Sequence, residues 1–258
     1  MTQTQQPAPD LSPDISVAPI RRRPARRRPF LIELYQTGVG KKWVMAVTGV
    51  MLMGFVLVHA LGNLKMYLGV TEFNTYSEFL REILVPILPR TWFLWILRIG
   101  LFLAFVFHIL SAYSLTRMNQ KANVAYRSRR DYLAANFASR TMRWTGIIVA
   151  LFLVWHLADL TWGLHPVAVK HWTRGLAYQN VTESLKRPGV AALYIVANIA
   201  LGIHLFHGAW SLFQSLGLNN PRFNKARRYF AAGFATLIAV INCSFPIMAL
   251  AGVTGVSS

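Results

Sequence analysis

The sequence predicts an all-α membrane protein, a bundle of five transmembrane helices with its N-terminus in the cytoplasm and its C-terminus outside. Of the 258 residues, 54% are hydrophobic, and they are gathered in long blocks without strand-like alternation. A transmembrane helix needs about 20 mainly apolar residues. Five blocks reach that length, at about 43–68, 91–115, 144–164, 189–217 and 229–253.

The chain divides into two predicted regions, residues 1–30 and residues 31–258. The first is rich in Pro, Gln and Arg and nearly free of large apolar side chains, which predicts a disordered cytoplasmic tail. Its basic run at residues 21–28 is not followed by a cleavable apolar segment, which argues against a twin-arginine signal. We interpret the run as a basic flank beside anionic lipid. The second region holds all five spans.

The distribution of charge predicts how the spans are oriented. The net charge of +18 comes from 27 Lys and Arg against 9 Asp and Glu. Basic residues crowd the connections after the second and fourth spans, so the positive-inside rule places both connections and the N-terminus in the cytoplasm. These residues are Arg117, Lys121, Arg127, Arg129, Arg130, Arg140, Arg143, Arg222, Lys225, Arg227 and Arg228. Because this charge flanks the spans, nucleic-acid binding is not favoured.

The two connections on the outer side are predicted to be partly structured. Residues 72–88 have the spacing of an amphipathic helix that stops at Pro86 and Pro89. Residues 165–178 are rich in Trp and His, which suits the boundary between membrane and water.

The only cysteine, Cys243, lies in the last apolar block. One thiol allows neither an intrachain disulfide nor an iron–sulfur cluster held by cysteines alone. If iron–sulfur centres are involved in the function, they belong to a partner protein.

Four histidines occupy four different apolar blocks at nearly constant intervals. The intervals between His59, His108, His156 and His204 are 49, 48 and 48 residues. Ionisable side chains inside a membrane are costly and usually functional. Two imidazoles on opposite sides of a haem iron are the chemistry that suits such histidines best in a helical bundle.

The depths of these histidines predict how they pair. A helix rises about 1.5 Å per residue, and the first and third spans run outward while the second and fourth run inward. His59 and His156 therefore lie toward the outer face, and His108 and His204 lie in the inner half. Each layer supplies the two axial ligands of one haem, and two stacked haems would carry electrons across the membrane. His207 is the alternative to His204 as the fourth ligand.

Other residues near these depths suit a bound porphyrin. Arg98 lies well inside the second span near the depth of His59, where it would either pair with a haem propionate or extend to the outer surface. Small residues let a flat porphyrin or a neighbouring helix approach closely. The glycines concerned are Gly54, Gly62, Gly100, Gly202 and Gly208.

The chain resembles the five-helix dihaem cytochrome b membrane anchors of succinate:quinone oxidoreductases, from about residue 36 to residue 253. Four sets of motifs, one in each of the first four spans, carry the resemblance in order along the chain. They are residues 47–49 with 57–64, residues 108–113, residues 139–146 with 156–159, and residues 204–211 with 214–217.

The resemblance implies a cofactor set and an assembly. In this family the first span pairs with the third and the second with the fourth, and the fourth ligand precedes a glycine matching Gly208 by four residues, which selects His204. The implied cofactors are two b haems, with menaquinone as the substrate. The implied partners are a flavoprotein with covalent FAD, which oxidises succinate, and an iron–sulfur protein. The implied location is the bacterial cytoplasmic membrane.

Electrons would then pass from the iron–sulfur partner to the inner haem, to the outer haem and to the quinone. A quinone site near the outer haem would draw on Glu78, Glu82, Asp159 or Arg98. Some quinol-oxidising fumarate reductases of this class carry a glutamate at the position of Gly202, so this glycine favours succinate oxidation in the respiratory chain and the tricarboxylic acid cycle.

Three other functions are alternatives to this one. The same anchor could serve a quinol:fumarate reductase running in the reverse direction. Dihaem anchors of formate dehydrogenases or hydrogenases have different histidine spacing. A transporter with a histidine proton relay predicts an inverted repeat and broken helices, and the sequence favours neither.

Overall fold

The computed structural model describes residues 29–125, 133–218 and 220–253, and the chain is helical without strands over these ranges. The helices are α1 (Phe30–Gln36), α2 (Gly38–Asn63), α3 (Val70–Glu82), α4 (Trp92–Ala125), α5 (Leu133–His156), α6 (Ala177–Leu185), α7 (Pro188–Ser215) and α8 (Asn224–Leu250). Residues 1–28 of the predicted tail lie outside the described residues, as do Arg127, Arg129 and Arg130.

Five helical segments among the described residues are long and apolar enough to cross a membrane, which confirms the predicted all-α membrane bundle. They are Gly38–Leu68, Trp92–Ala122, Thr141–Thr161, Pro188–Ser215 and Pro221–Leu250. The first begins before the predicted residue 43 because Thr37 caps α2, its hydroxyl accepting a hydrogen bond from the Gly40 amide at 2.9 Å. The Lys41 ammonium group then bonds the Tyr35 carbonyl at 3.0 Å instead of entering the apolar layer.

Helix α7 lies centrally, packed against α2, α5 and α8, while α4 packs against α2. Small side chains make these contacts close. Ala60 of α2 and Leu205 of α7 are buried with Ala235 and Ile238 of α8. A methyl group added to Gly202 would lie 3.1 Å from Cβ of Ala239, so this predicted small position serves helix packing.

The short helices α3 and α6 cover the end of the bundle predicted to face outward. Phe73 of α3 and Tyr178 of α6 join an apolar cluster with Tyr194 of α7 and Phe245 of α8. The glycine at position 62 makes room for this cover, since a methyl group there would overlap the Tyr76 hydroxyl. Helix α6 was not predicted from the sequence.

The amphipathic helix predicted over residues 72–88 ends earlier, so that prediction is wrong over residues 83–88. Helix α3 stops at Glu82 because Ile83 takes an extended conformation. Leu84 follows with a φ of 69°, which no regular helix contains. Pro86 disfavours helical geometry in the residue before it and so stops the helix sooner than the spacing suggests.

Asn74 ties the two covering helices together, and its loss should loosen them. Its Oδ1 accepts a hydrogen bond from the Tyr178 amide at 2.9 Å, and its Nδ2 donates to the Gln179 side chain at 3.1 Å. Asn74→Ala leaves the amide unpaired, so we expect a loss of about 1–3 kcal/mol in the free energy of unfolding. Thermal unfolding in detergent measures this, with exposed Thr75→Ala as the control; equal stability of the two variants would contradict the role.

Candidate functional site

The four histidines of the apolar blocks come together as two facing pairs. His59 of α2 and His156 of α5, here called the outer pair after the predicted orientation, have ring centroids 6.0 Å apart and planes at 77°. His108 of α4 and His204 of α7, the inner pair, have centroids 6.5 Å apart and planes at 68°. Each pair therefore joins two different spans.

The separation of the rings fits one metal ion between each pair. A first-row metal ion binds an imidazole nitrogen at about 2.0 Å, so two rings facing each other across one ion have centroids roughly 6.3 Å apart. The measured 6.0 Å and 6.5 Å lie on either side of this value. Two imidazoles alone leave most coordination positions of an iron ion open, and a porphyrin would fill four of them.

The hydrogen bonds of these four rings, within the described part of the chain, are all made at Nδ1. Ligating histidines commonly bind the metal through one ring nitrogen while the other is held by a neighbouring polar group. The nearest polar atoms to Nδ1 are Asn63 Nδ2 for His59 (3.1 Å), Thr48 Oγ1 for His108 (3.3 Å), Tyr194 Oη for His156 (3.3 Å), and Met142 O (3.3 Å) and Thr145 Oγ1 (3.4 Å) for His204. A half-turn of the Asn63 amide would present its oxygen instead. This arrangement leaves Nε2 of each ring available to a metal ion.

The same residue types recur at the same spacing in α2 and α5. The two sets are Thr48, Gly49 and His59, and Thr145, Gly146 and His156. A methyl group added to Gly49 would lie 3.4 Å from Cε1 of His108, and one added to Gly146 would lie 3.3 Å from Cε1 of His204. Both glycines therefore mark the level of the inner pair. The outer pair follows ten residues later on each helix, about 15 Å away along the axis.

Asp159 lies next to the outer pair, buried in a polar network. Asp159 is 1% exposed to solvent. Oδ1 accepts a hydrogen bond from Arg187 Nη2 at 2.9 Å, and Oδ2 accepts from the hydroxyls of Ser184 at 2.5 Å and Tyr194 at 3.2 Å. The Tyr194 hydroxyl thus lies between the carboxylate and Nδ1 of His156. Asp159, predicted as a quinone contact, is enclosed by these partners.

Glu78 and Glu82, which were also predicted as quinone contacts, lie on the surface and form no hydrogen bond with either histidine pair. Glu78 forms salt bridges with Arg81, at 2.6 Å, and with Arg90. Glu82 lies 3.7 Å from Arg90. Both carboxylates therefore stabilise the connection between α3 and α4, and the structure does not bring them to the histidines.

Arg98 is exposed on α4, with its guanidinium carbon 5.1 Å from the centre of the Trp95 ring. Trp95 is one turn nearer the predicted outer end of the helix, so this cation–π contact directs the side chain toward that surface. Among the described residues Arg98 makes no salt bridge.

His207, the alternative fourth ligand, faces a different neighbour. Its Nε2 lies 3.2 Å from the Thr141 hydroxyl, whereas the ring facing His108 is that of His204. The geometry therefore favours His204 for the inner pair.

Three of the predicted glycines have no close neighbour, and one tryptophan nitrogen has no hydrogen-bond partner, among the described residues. Gly54, Gly100 and Gly208 have nothing within 4 Å of where a Cβ would lie, so they leave open space. The indole nitrogen of Trp155, in the apolar cluster beside Tyr194, is buried without an acceptor among the described residues. A ligand with oxygen atoms would satisfy such a donor.

Sequence reasoning missed most of the groups that hold the histidines. Thr48 and Thr145 could have been found, since each precedes a predicted ligand by eleven residues in an otherwise apolar block. Tyr194 and Arg187 carried no such signal, because only the packing of α7 against α5 brings them to His156 and Asp159.

The comparisons with known proteins support one family. Residues 117–242, just under half of the chain, match the model of the succinate dehydrogenase/fumarate reductase transmembrane subunit. No curated protein and no solved structure matches the chain. The matched segment contains three of the membrane spans in whole or in large part, and it includes His156 and His204. Over this segment the chain is therefore similar to the succinate dehydrogenase/fumarate reductase transmembrane subunits.

Proposed function

We propose that this chain is the dihaem cytochrome b membrane subunit of a succinate:quinone oxidoreductase. The observation that carries the proposal is the pairing of four imidazoles from four spans at two levels of one bundle. The family match supports a membrane subunit of this class of oxidoreductase. The ring separations and the hydrogen bonds at Nδ1 support two haems.

In this proposal His59 and His156 hold one haem, and His108 and His204 hold the other. When bound, the two b haems supply one-electron transfer between the membrane faces. The chain's own residues fix the geometry of the site. Thr48 and Thr145 orient the inner rings, and Tyr194 and Asn63 orient the outer rings.

The proposed partners are a flavoprotein subunit with FAD and an iron–sulfur subunit on the cytoplasmic side of a bacterial inner membrane. The chain's single cysteine agrees with iron–sulfur clusters that are held elsewhere. The basic connections after the second and fourth spans would meet these partners, and they also set the orientation of the spans. The proposed electron acceptor is menaquinone, bound near the outer pair.

Gly202 favours the direction of succinate oxidation. A side chain at this position would run into Ala239 of α8, at 3.1 Å for a methyl group alone. A proton-carrying carboxylate of the kind found in some quinol-oxidising relatives therefore has no room without a shift of α8. Operation as a quinol:fumarate reductase is the alternative that a turnover assay would identify.

Purification of the native complex tests the proposal. A tagged chain extracted in mild detergent should co-purify with a flavin-containing protein and an iron–sulfur protein. The complex should reduce a menaquinone analogue with succinate, faster than it oxidises the quinol with fumarate. A chain that purifies alone, with neither activity, would contradict the proposal.

Gly146→Ala should weaken the inner haem selectively. The added methyl group contacts the His204 ring at 3.3 Å, so the ring must move by a few tenths of an ångström. We expect a loss of about tenfold or more in the affinity of the inner site, as for other changes in groups that orient a ligand. Haem retention during dilution and spectroscopy measures this.

Gly233→Ala in α8 is the matched control, because nothing lies within 4 Å of its added methyl group. It should keep both haems and lose no stability, since alanine favours helix by about 1 kcal/mol over glycine. Equal haem retention in the two variants would contradict the close packing of Gly146 on His204.

A further inference from the structure

The two histidine pairs differ in the charge of the groups that surround their Nδ1 atoms. In the inner pair, His108 and His204 face the hydroxyls of Thr48 and Thr145 and the backbone of Met45 and Met142, all of which are neutral. In the outer pair, His156 faces the Tyr194 hydroxyl, whose other neighbour is the Asp159 carboxylate. A carboxylate behind a ligating histidine increases the electron donation of the ring to a metal.

The atoms form a continuous chain from the carboxylate to the ring. The Tyr194 hydroxyl is 3.2 Å from Asp159 Oδ2 and 3.3 Å from His156 Nδ1. With iron at Nε2, Nδ1 carries a proton and donates it to the tyrosine oxygen, and the tyrosine hydroxyl donates to the carboxylate. Hydrogen bonds in such a chain polarise one another when they are buried.

Arg187 holds the Asp159 carboxylate in place. Its Nη2 donates to Asp159 and to the Ser184 hydroxyl, and its Nη1 donates to the Val167 carbonyl at 2.7 Å. The Asp159 side chain has no exposed surface, whereas the Arg187 side chain is 33% exposed. Because solvent screens the cation more than the buried anion, the side of the network facing His156 keeps a negative character.

We propose that Tyr194 and Asp159 lower the reduction potential of the haem held by the outer pair, with Tyr194 relaying the carboxylate's charge to His156. The inference rests on the proposed function. A more electron-donating ligand stabilises ferric over ferrous iron and so lowers the potential. Tyr194 and Asp159 are positioning residues here, since they act through His156. A lower potential at this level matches a low-potential quinone such as menaquinone.

A redox titration of the purified complex, followed at the haem absorption bands, tests the relay. Tyr194→Phe keeps the ring that packs edge-on against Phe152 at 4.9 Å and removes only the hydroxyl. We expect the midpoint potential of one haem to rise while that of the other stays unchanged. Tyr178→Phe is the matched control, because this buried tyrosine belongs to the same apolar cluster and should shift neither potential.

A double-mutant cycle distinguishes the relay through Tyr194 from a direct electrostatic effect of the Asp159 carboxylate on the haem. Asp159→Asn keeps the shape of the side chain and should raise the same midpoint potential. In the Tyr194→Phe background the same change should have a much smaller effect, because the hydroxyl that carries it is gone. Fully additive shifts, or no shift in Tyr194→Phe, would overturn the relay.

The haem content of the same samples distinguishes a failure of the relay from a failure of the proposed function. Two haems with an unmoved outer potential would overturn the relay and leave the proposed function intact. Absence of haem from the unmodified complex would overturn the proposed function itself. If Asp159→Asn does not assemble, the shift in Tyr194→Phe against Tyr178→Phe still decides the inference.

Discussion

His59→Ala should leave the complex with one b haem per chain, and His204→Ala should leave it with the other. Among the described histidine rings, His59 faces His156 and His204 faces His108, so each change removes one of the two proposed axial ligands of a single pair. Changes in groups that merely orient a ligand reduce affinity about 10–100-fold, so loss of the ligand itself should empty the site. Quinone reduction with succinate should fall by more than about tenfold in both variants.

Reduced-minus-oxidised spectra of the two variants measure this, because the remaining haems should differ in absorption maximum and in midpoint potential. His207→Ala is the matched control in the same helix. Its Nε2 faces the Thr141 hydroxyl at 3.2 Å, so it should keep both haems. Loss of the same haem from both ligand variants, or loss of a haem from the His207 variant and none from the His204 variant, would contradict the assignment.

Arg187→Ala should destabilise the complex by about 3 kcal/mol. The change leaves the carboxylate of Asp159, a residue that is 1% exposed, without its positively charged partner. Removing one partner of a buried ion pair typically costs about 3–5 kcal/mol, and the partial exposure of Arg187 places this pair at the lower end. The same change also releases the Val167 carbonyl, which the guanidinium bonds at 2.7 Å.

Thermal unfolding of the detergent-solubilised complex measures the loss, with Lys186→Ala as the control. Lys186 is the preceding residue and is exposed, so its truncation should change the free energy of unfolding by less than about 0.5 kcal/mol. If the two variants unfolded at the same temperature, the Asp159–Arg187 pair would contribute nothing to the fold.

The spans could be predicted from the sequence because each depends on its own composition. Lipid requires a long apolar helix wherever the chain crosses, and that requirement is local. The levels of the four histidines follow from residue counting, since a helix advances by a constant rise. Residue counting also predicts which rings can meet, and His59 does lie beside His156, and His108 beside His204. Haem ligation stays a prediction.

The ends of the helices and the covering helices were harder to predict because they depend on single backbone conformations and on tertiary contacts. The spacing of apolar residues continues past Glu82, but Leu84 has a positive φ and interrupts the helix. Helix α6 is short and mixed in polarity, and it is fixed by the Asn74 side chain, which lies 104 residues before Tyr178. No local pattern contains that contact.

The polar groups around the histidines were the least predictable part of the site. Asp159 was predicted as a quinone contact, but its partners Ser184, Arg187 and Tyr194 lie 25–35 residues away on other elements. A carboxylate in an apolar block suits a quinone contact and a structural ion pair equally well. Only the packing of Leu157–Thr161 against α6, and of α5 against α7, reveals the ion pair.

Quantification of haem b in the purified, unmodified complex tests the central claim most directly. A pyridine haemochrome assay normalised to the chain, together with a dithionite-reduced minus oxidised spectrum, should give two b haems per chain. One haem would mean that only one pair of histidines binds iron. A complex without haem would contradict the claim that these four imidazoles are axial ligands.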